Sequence, residues 1–241
     1  MQAFYRKKFL IWIPSSLNSK NLKKKLHLSF KKQKIIPGKI ASIETQENFI
    51  EEYFELFNEA KKWCCHVLFY DPVHQLHNSE SAKCWIEKWT EFFLKSNTWR
   101  NRITAMWAIN PISLMFSGLI IEDNCDTETT KTALKNIRED YPDWKPIFMF
   151  LDNAAYNRSY EVQEYALKLW IILCYLPPYS PNLNLIERLR KFMKKKLVKN
   201  KYYETLDEFR TIFLNFFSNL WNYADELRHI FDNNFVILNA V

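Results

Sequence analysis

The stretch PIFMFLDNAAYNRSYEVQEYALKLWIILCYLPPYSPNLNLIERLRKFMKKKL, residues 146–197, decides the fold. Pro146–Leu151 is a short unbroken apolar run, the pattern of a central strand covered on both faces, and it stops at Asp152-Asn153. Tyr160–Leu169 predicts a helix and Ile171–Leu176 a second strand. Pro177–Pro181 is a rigid loop, because its prolines fix φ, and Asn184–Leu197 predicts a basic helix. Strand, helix and strand in that order make the unit of a parallel sheet. Asp152 then stands at a strand's carboxyl end, where open α/β sheets bind ligands.

The pattern extends outward in both directions. His66–Tyr70 is another short apolar run, and it meets Asp71-Pro72. The proline predicts that this strand stops there, with Asp71 at its end or just past it. Thr45–Lys62 predicts an amphipathic helix with Phe49, Tyr53, Leu56, Phe57 and Ala60 on one side. Strand-like runs follow at Cys84–Ile86, Phe92–Leu94, Ile103–Ile109 and Ser113–Ile121, then a helix over Asp126–Tyr141. Thr205–Tyr223 and Ala224–Phe231 predict aromatic-rich helices whose Phe209, Phe213, Phe216 and Phe217 face a core. Strands first, then strands alternating with helices, indicate an α/β fold with a mixed sheet.

Composition sets the outer limits. The chain has 241 residues, 48% hydrophobic and 25% charged, enough for one or two cores and too apolar for a disordered chain. Its net charge of +7 is unevenly spread: the first forty residues hold 11 Lys and Arg and no acid. Such an arm suits a polyanion partner or a solvated tail. Ser15–Leu28 predicts one short helix in it, and Pro37-Gly38 a linker after it. Five irregularly spaced cysteines and no secretory pattern point to free thiols in a reducing cytoplasm. The longest apolar runs, such as Trp170–Leu176, fall far short of a membrane span of about 18 residues.

Asp71, Asp152 and Glu187 are the candidate chemistry. Clustered carboxylates repel unless cations neutralise them, and Mg²⁺ takes a few carboxylates, water and phosphate oxygens. Two such ions about 3.5–4 Å apart serve phosphodiester cleavage. Each acid also has an ordinary reading: Asp71 opening a turn, Asp152 capping a helix, Glu187 closing a capping box with Asn184 or pairing with Lys191.

The local strings favour the first reading. LDNAAYNRSYEVQEYA (151–166) followed by LPPYSPNLNLIERLRKFMKKKL (176–197) resembles the catalytic core of DDE transposases, in the bacterial insertion-sequence branch of the mariner-like superfamily. Here 34 residues separate Asp152 and Glu187, and the family pattern has about 34 between its second and third acids. VLFYDPVHQLHN (67–78) resembles the segment with the first acid, RNRITAMWAIN (100–110) the next strand, and YYETLDEFR (202–210) the tail. The resemblance implies a ribonuclease H-like, integrase-like fold: a mixed five-stranded sheet flanked by helices. It implies Asp71, Asp152 and Glu187 as a catalytic triad holding two Mg²⁺ ions, with Mn²⁺ as a substitute. It implies DNA cleavage at transposon ends and strand transfer into target DNA, typically at TA, by a bacterial protein associated with the nucleoid, with a homodimer as an option. Residues 37–241 would be the catalytic domain. Residues 1–36 would be the basic remnant of a helix-turn-helix or winged-helix module, with Asn21–Lys34 its last helix and wing. A DNA-binding remnant without activity and a ribonuclease H-like nuclease are the rival readings.

Around the triad, the resemblance favours His74 and His77 as active-site wall or DNA contacts. Lys191, Lys194 and Lys195 share a helical face with Glu187, which suits phosphate contact or a solvated surface. Cys64, Cys65, His66, His74, His77 and Cys84 match no standard zinc spacing. Tyr179 and Ser180 suit either positioning of the Glu187 helix or substrate contact.

One departure concerns glycine. The chain has two, Gly38 and Gly118, where average usage of about 7% gives roughly 17, and it has nine tryptophans. The family pattern has glycine near 89, 99, 107 and 170, where this chain has tryptophan, and tryptophan where this chain has Arg190. Trp63 and Trp221 are unexpected as well. A bulky residue at φ > 0 costs about 1–3 kcal/mol. A decaying gene copy, or codons meaning glycine and tryptophan in the source rendered as tryptophan and arginine, would each explain the exchange.

Overall fold

The computed structural model describes residues 37–98, 101–121, 125–231 and 235–239. The first helix, α1, is Ile43–Lys61, started by Ser42, whose hydroxyl accepts from the Thr45 amide. Strands β1 (His66–Leu76), β2 (Arg102–Ile109) and β3 (Phe116–Ile121) follow, then α2 (Thr127–Asp140) and β4 (Ile147–Leu151). Helix α3 (Tyr160–Lys168) leads to β5 (Ile171–Tyr175). Helix α4 (Leu185–Met193) runs into a π turn over Lys194–Val198, and α5 (Leu206–Ser218) and α6 (Ala224–Ile230) complete the order.

The five strands form one mixed sheet in the order β3-β2-β1-β4-β5. β2 is antiparallel to β1 and β3, while β4 runs parallel to β1 and β5. Alternation of side chains along each strand sorts the core into two layers. Val67, Phe69, Val73, Ile103, Ala105, Trp107 and Phe150 join one cluster with residues of α1, α4, α5 and α6. Leu68, Tyr70, Met106, Met149 and Leu151 join the other, with Ala133, Leu134 and Ile137 of α2 and Val162 and Ala166 of α3. Phe209, Phe213, Phe216 and Phe217 are buried in the first cluster, as their spacing predicts.

Two expectations about strands fail. Residues 84–86 and 92–94 form no strand, and Trp85, Phe92 and Phe93 are exposed. β1 also continues through Pro72 to Leu76, so Asp71 lies inside the strand. The reason is the free edge. β1 pairs with β4 only as far as Phe69, and beyond it one side of β1 has no strand partner among the described residues. The Pro72 carbonyl accepts a bond from the Arg190 side chain at 3.1 Å. In antiparallel pairing the carbonyl and the nitrogen of a residue point the same way, so the missing N–H falls on that free edge, where proline is tolerated. The predicted Ser15–Leu28 helix and the reading of residues 1–36 lie outside the described residues.

Candidate active site

The site forms where β1 outruns β4. Asp71 has the same parity as Val67, Phe69 and Val73, so its side chain faces the layer that contains α4. Asp152 directly follows β4, and its Oδ1 accepts from the Ala154 amide at 3.2 Å and from Asn157 Nδ2 at 2.9 Å. These bonds turn the chain sharply after the strand and fix the carboxylate. Asn153 Nδ2 donates to the Leu176 carbonyl at 2.6 Å, joining this turn to the end of β5.

The prolines of 177–181 then bring the chain to α4. Ser180 is buried and donates to the Pro178 carbonyl, while Tyr179 is exposed with φ 53°. Asn182 donates to Gln46 of α1 at 3.0 Å, which ties this loop to the core. Asn184 caps α4 by accepting from the Ile186 amide at 3.1 Å. Glu187 therefore sits in the first turn. Its side chain pairs with Arg190 rather than closing a capping box or meeting Lys191.

Asp71, Asp152 and Glu187 line one cavity of about 550 Å³, with Asn153, Arg158 and Tyr179 on its wall. An adjoining hollow shares the three acids and adds His74, Tyr156, Arg190 and Lys194. The sequence leaves Arg190 out of the site, yet it is the dominant cation there. Its Nη1 is 2.7 Å from Glu187 Oε1 and its Nη2 is 2.5 Å from Asp71 Oδ2. It lies three residues after Glu187, on the same helical face; that spacing was the signal available.

Burial dominates the electrostatics of Asp71. Burial pushes the carboxyl up, Arg190 pulls it down, and the charges of Glu187 and Asp152 raise it again, leaving it at about 7. Such an acid cluster favours a bound cation, and the guanidinium of Arg190 stands in for one. Carboxylate oxygens are the hard donors that Mg²⁺ and Mn²⁺ take; with Arg190 between Asp71 and Glu187, no three acidic, histidine or cysteine side chains among the described residues stand close enough together to hold a metal ion.

The remaining expected residues divide. His74 lines the adjoining hollow, with Nδ1 3.1 Å from Thr104 Oγ1. His77 does not reach the site: it is buried, stacks on Phe209, and places Nε2 3.0 Å from the Tyr203 carbonyl. An odd separation along extended chain sends the two histidines to opposite faces. Lys194 borders the acids and pairs with Glu80 at 2.7 Å. Lys191 and Lys195 instead line a separate groove with Arg188, Phe192 and His229. At 3.6 residues per turn, the i+4 and i+8 positions swing away from the face of i+3 and i+7.

The family model described as DDE superfamily endonuclease matches residues 66–210, which take in all three acids. The chain belongs to the DDE superfamily endonucleases. The uncharacterized protein y4pE/y4sA of Sinorhizobium fredii (strain NBRC 101917 / NGR234) is 28% identical over 95 residues, 39% of this chain and 67% of that protein. The fold is similar to that of the Mos1 mariner paired end complex with Mg, with a TM-score of 0.66 and 13% identity, covering 88% of this chain and 67% of that one. The Mos1 strand transfer complex gives 0.62 at 12% identity over the same shares. The Mos1 catalytic domain solved with Raltegravir and Mg gives 0.53 at 13%, covering 79% of this chain and 91% of that one. No helix among the described residues is long and apolar enough to cross a membrane.

Proposed function

We propose that the chain is the catalytic domain of a transposase, which cuts DNA at transposon ends and joins the freed end to a target, with TA as the target step. The observation that carries this reading is the convergence of Asp71, Asp152 and Glu187 on one cavity from three separate elements. The three acids would hold two Mg²⁺ ions, with Mn²⁺ as a substitute. Bound there, the ions would supply Lewis acidity and a lowered pKa for the attacking water or 3′-hydroxyl. The Mos1 structures of like fold include complexes with Mg, with Mn and with a transposon end, which supports both the metals and DNA as partner.

The chain's own residues do the rest. Asn157 holds the Asp152 carboxylate in place, and the loop tied by Asn182 sets the approach of Glu187. Arg158, His74 and Lys194 place positive or hydrogen-bonding groups around the cavity, where a phosphate backbone would run. Residues 1–36, rich in Lys and Arg and without an acid, would add sequence-independent phosphate binding. A homodimer would bring two transposon ends together.

A second reading, a chain that binds DNA without cutting it, draws on Arg190, which holds two of the three acids. Strand transfer of a labelled, pre-cut transposon end with Mg²⁺ separates the two. The transposase reading expects joined product that Asp152→Ala abolishes. DNA retention with no product from the parent chain, or from Arg190→Trp, supports the second reading. Cleavage without joining would indicate a nuclease of the same fold.

A further inference from the structure

Seven non-glycine residues among those described have φ between 53° and 69°, and four of the seven are tryptophan: Trp63, Trp89, Trp144 and Trp170. Tryptophan has no preference for this left-handed region, which belongs to glycine and, less often, to asparagine and aspartate. Neither glycine of the chain adopts it.

Each of the four sits where backbone geometry calls for glycine. Trp63 follows the last residue of α1 and its cap Lys62. Its amide donates to the Ala60 carbonyl and the Cys64 amide to the Glu59 carbonyl, at 3.0 and 3.3 Å. That pair of bonds is the Schellman ending, whose left-handed residue is usually glycine. Trp170 holds the same position after α3 and its cap Leu169, donating to the Leu167 carbonyl at 3.0 Å. Trp89 is the third residue of a turn closed by the Thr90 amide on the Glu87 carbonyl, where a positive φ makes the turn type II and asks for glycine. Trp144 follows Pro142-Asp143, the place of glycine in a Pro-Asp-Gly turn.

Nothing in the packing of the described residues requires the indoles. The side chains are left in solvent, with relative exposures of 73% at Trp63, 100% at Trp89, 65% at Trp144 and 59% at Trp170. Trp63 and Trp144 each meet one cation, Lys145 and Arg138, without being buried by it. Left-handed strain normally persists where surrounding contacts enforce it, and here only the main chain does. Exposure alone does not define the group, because Trp85 and Trp221 are just as exposed at ordinary φ. Trp107 differs in both respects, buried in a strand against Phe116, Phe213 and Phe217.

We infer that the protein made by its own source carries glycine at 63, 89, 144 and 170, the codons there being decoded as glycine rather than tryptophan. Peptide mass spectrometry of the full chain isolated from that source tests this directly. Glycine at the four positions is the expected result, and tryptophan at them overturns the inference. Thermal melting of two recombinant full-length chains gives an independent readout: the sequence as written, and the same chain with Trp63→Gly, Trp89→Gly, Trp144→Gly and Trp170→Gly together. Glycine ordinarily lowers stability through unfolded-state entropy, so a midpoint raised by several degrees identifies glycine positions. A lowered midpoint means that the indoles stabilise the fold, and contradicts the inference.

Discussion

At the carboxyl end of β4 and along the free edge of β1 the chain gathers charge; at the amino ends of the parallel strands it gathers strain. The first region holds Asp71, Asp152 and Glu187, fixed by side-chain bonds from Asn157 and Arg190 and by a loop tied to α1. The second holds Trp63, Trp144 and Trp170, each a few residues or fewer before β1, β4 or β5 and each at positive φ. Both depart from ordinary local chemistry, but in different ways. Like-charged acids at one end are an arrangement that a cation rewards. Exposed indoles in a left-handed backbone, met among the described residues by no more than a single cation at Trp63 and at Trp144, are an arrangement with little to offset its strain. Local rule-breaking thus marks a functional site only where something nearby benefits from it.

Substitutions at the two ends should separate them. Asp152→Asn has the largest expected effect, a loss of metal-dependent strand transfer on the order of a thousandfold, since several kcal/mol of transition-state stabilisation would go with it. Gel assays of joined product check this, with melting unchanged to show that the fold survives. Trp107→Gly should lower stability by about 3–5 kcal/mol, the range for emptying a large aromatic site, measured by urea unfolding. That loss contrasts with the gain expected at the four left-handed positions. Arg190→Ala removes the internal counter-cation, so Mn²⁺ should bind about tenfold more tightly in calorimetry, equivalent to about 1.4 kcal/mol.

The smallest effect is pH-dependent. The Asp71 carboxyl is raised from 3.8 to about 7 by burial first, then by its acidic neighbours against the pull of Arg190. Its neutral form is therefore the one folding favours. The stability it lends is fully present below pH 3.8 and is lost as pH rises toward 7. Asp71→Asn cannot ionise, so without metal its melting midpoint should gain on the parent's between pH 4 and 8. A constant difference across that range would show that Asp71 titrates normally.

Much of the fold was legible because its signals were local. Pro146–Leu151 and Ile171–Leu176 read as buried strands from their apolar runs, and they are β4 and β5 within a residue. Asn184 read as a helix cap and is one. The errors came where tertiary context overrides local rules. Pro72 reads as a stop, but the free edge of β1 beyond Phe69 makes it harmless. Cys84–Ile86 and Phe92–Leu94 read as strands, but the five-stranded sheet does not include them. At the site, the convergence of three acids came from motif strings, and spacing alone did not imply it. Arg190 was missed because its partner Asp71 lies on another element, which no helical wheel shows. His77 was placed too near the acids because proximity in sequence says little about which way an extended chain turns its side chains.

Whether Asp71, Asp152 and Glu187 form one divalent-cation site is tested most directly by Mn²⁺ binding to the full chain. Calorimetry or manganese electron paramagnetic resonance on the parent, Asp152→Asn and Glu187→Gln should give two bound ions in the parent and loss of at least one in each variant. Undiminished Mn²⁺ binding in a chain carrying both substitutions would show that these acids do not hold the ions.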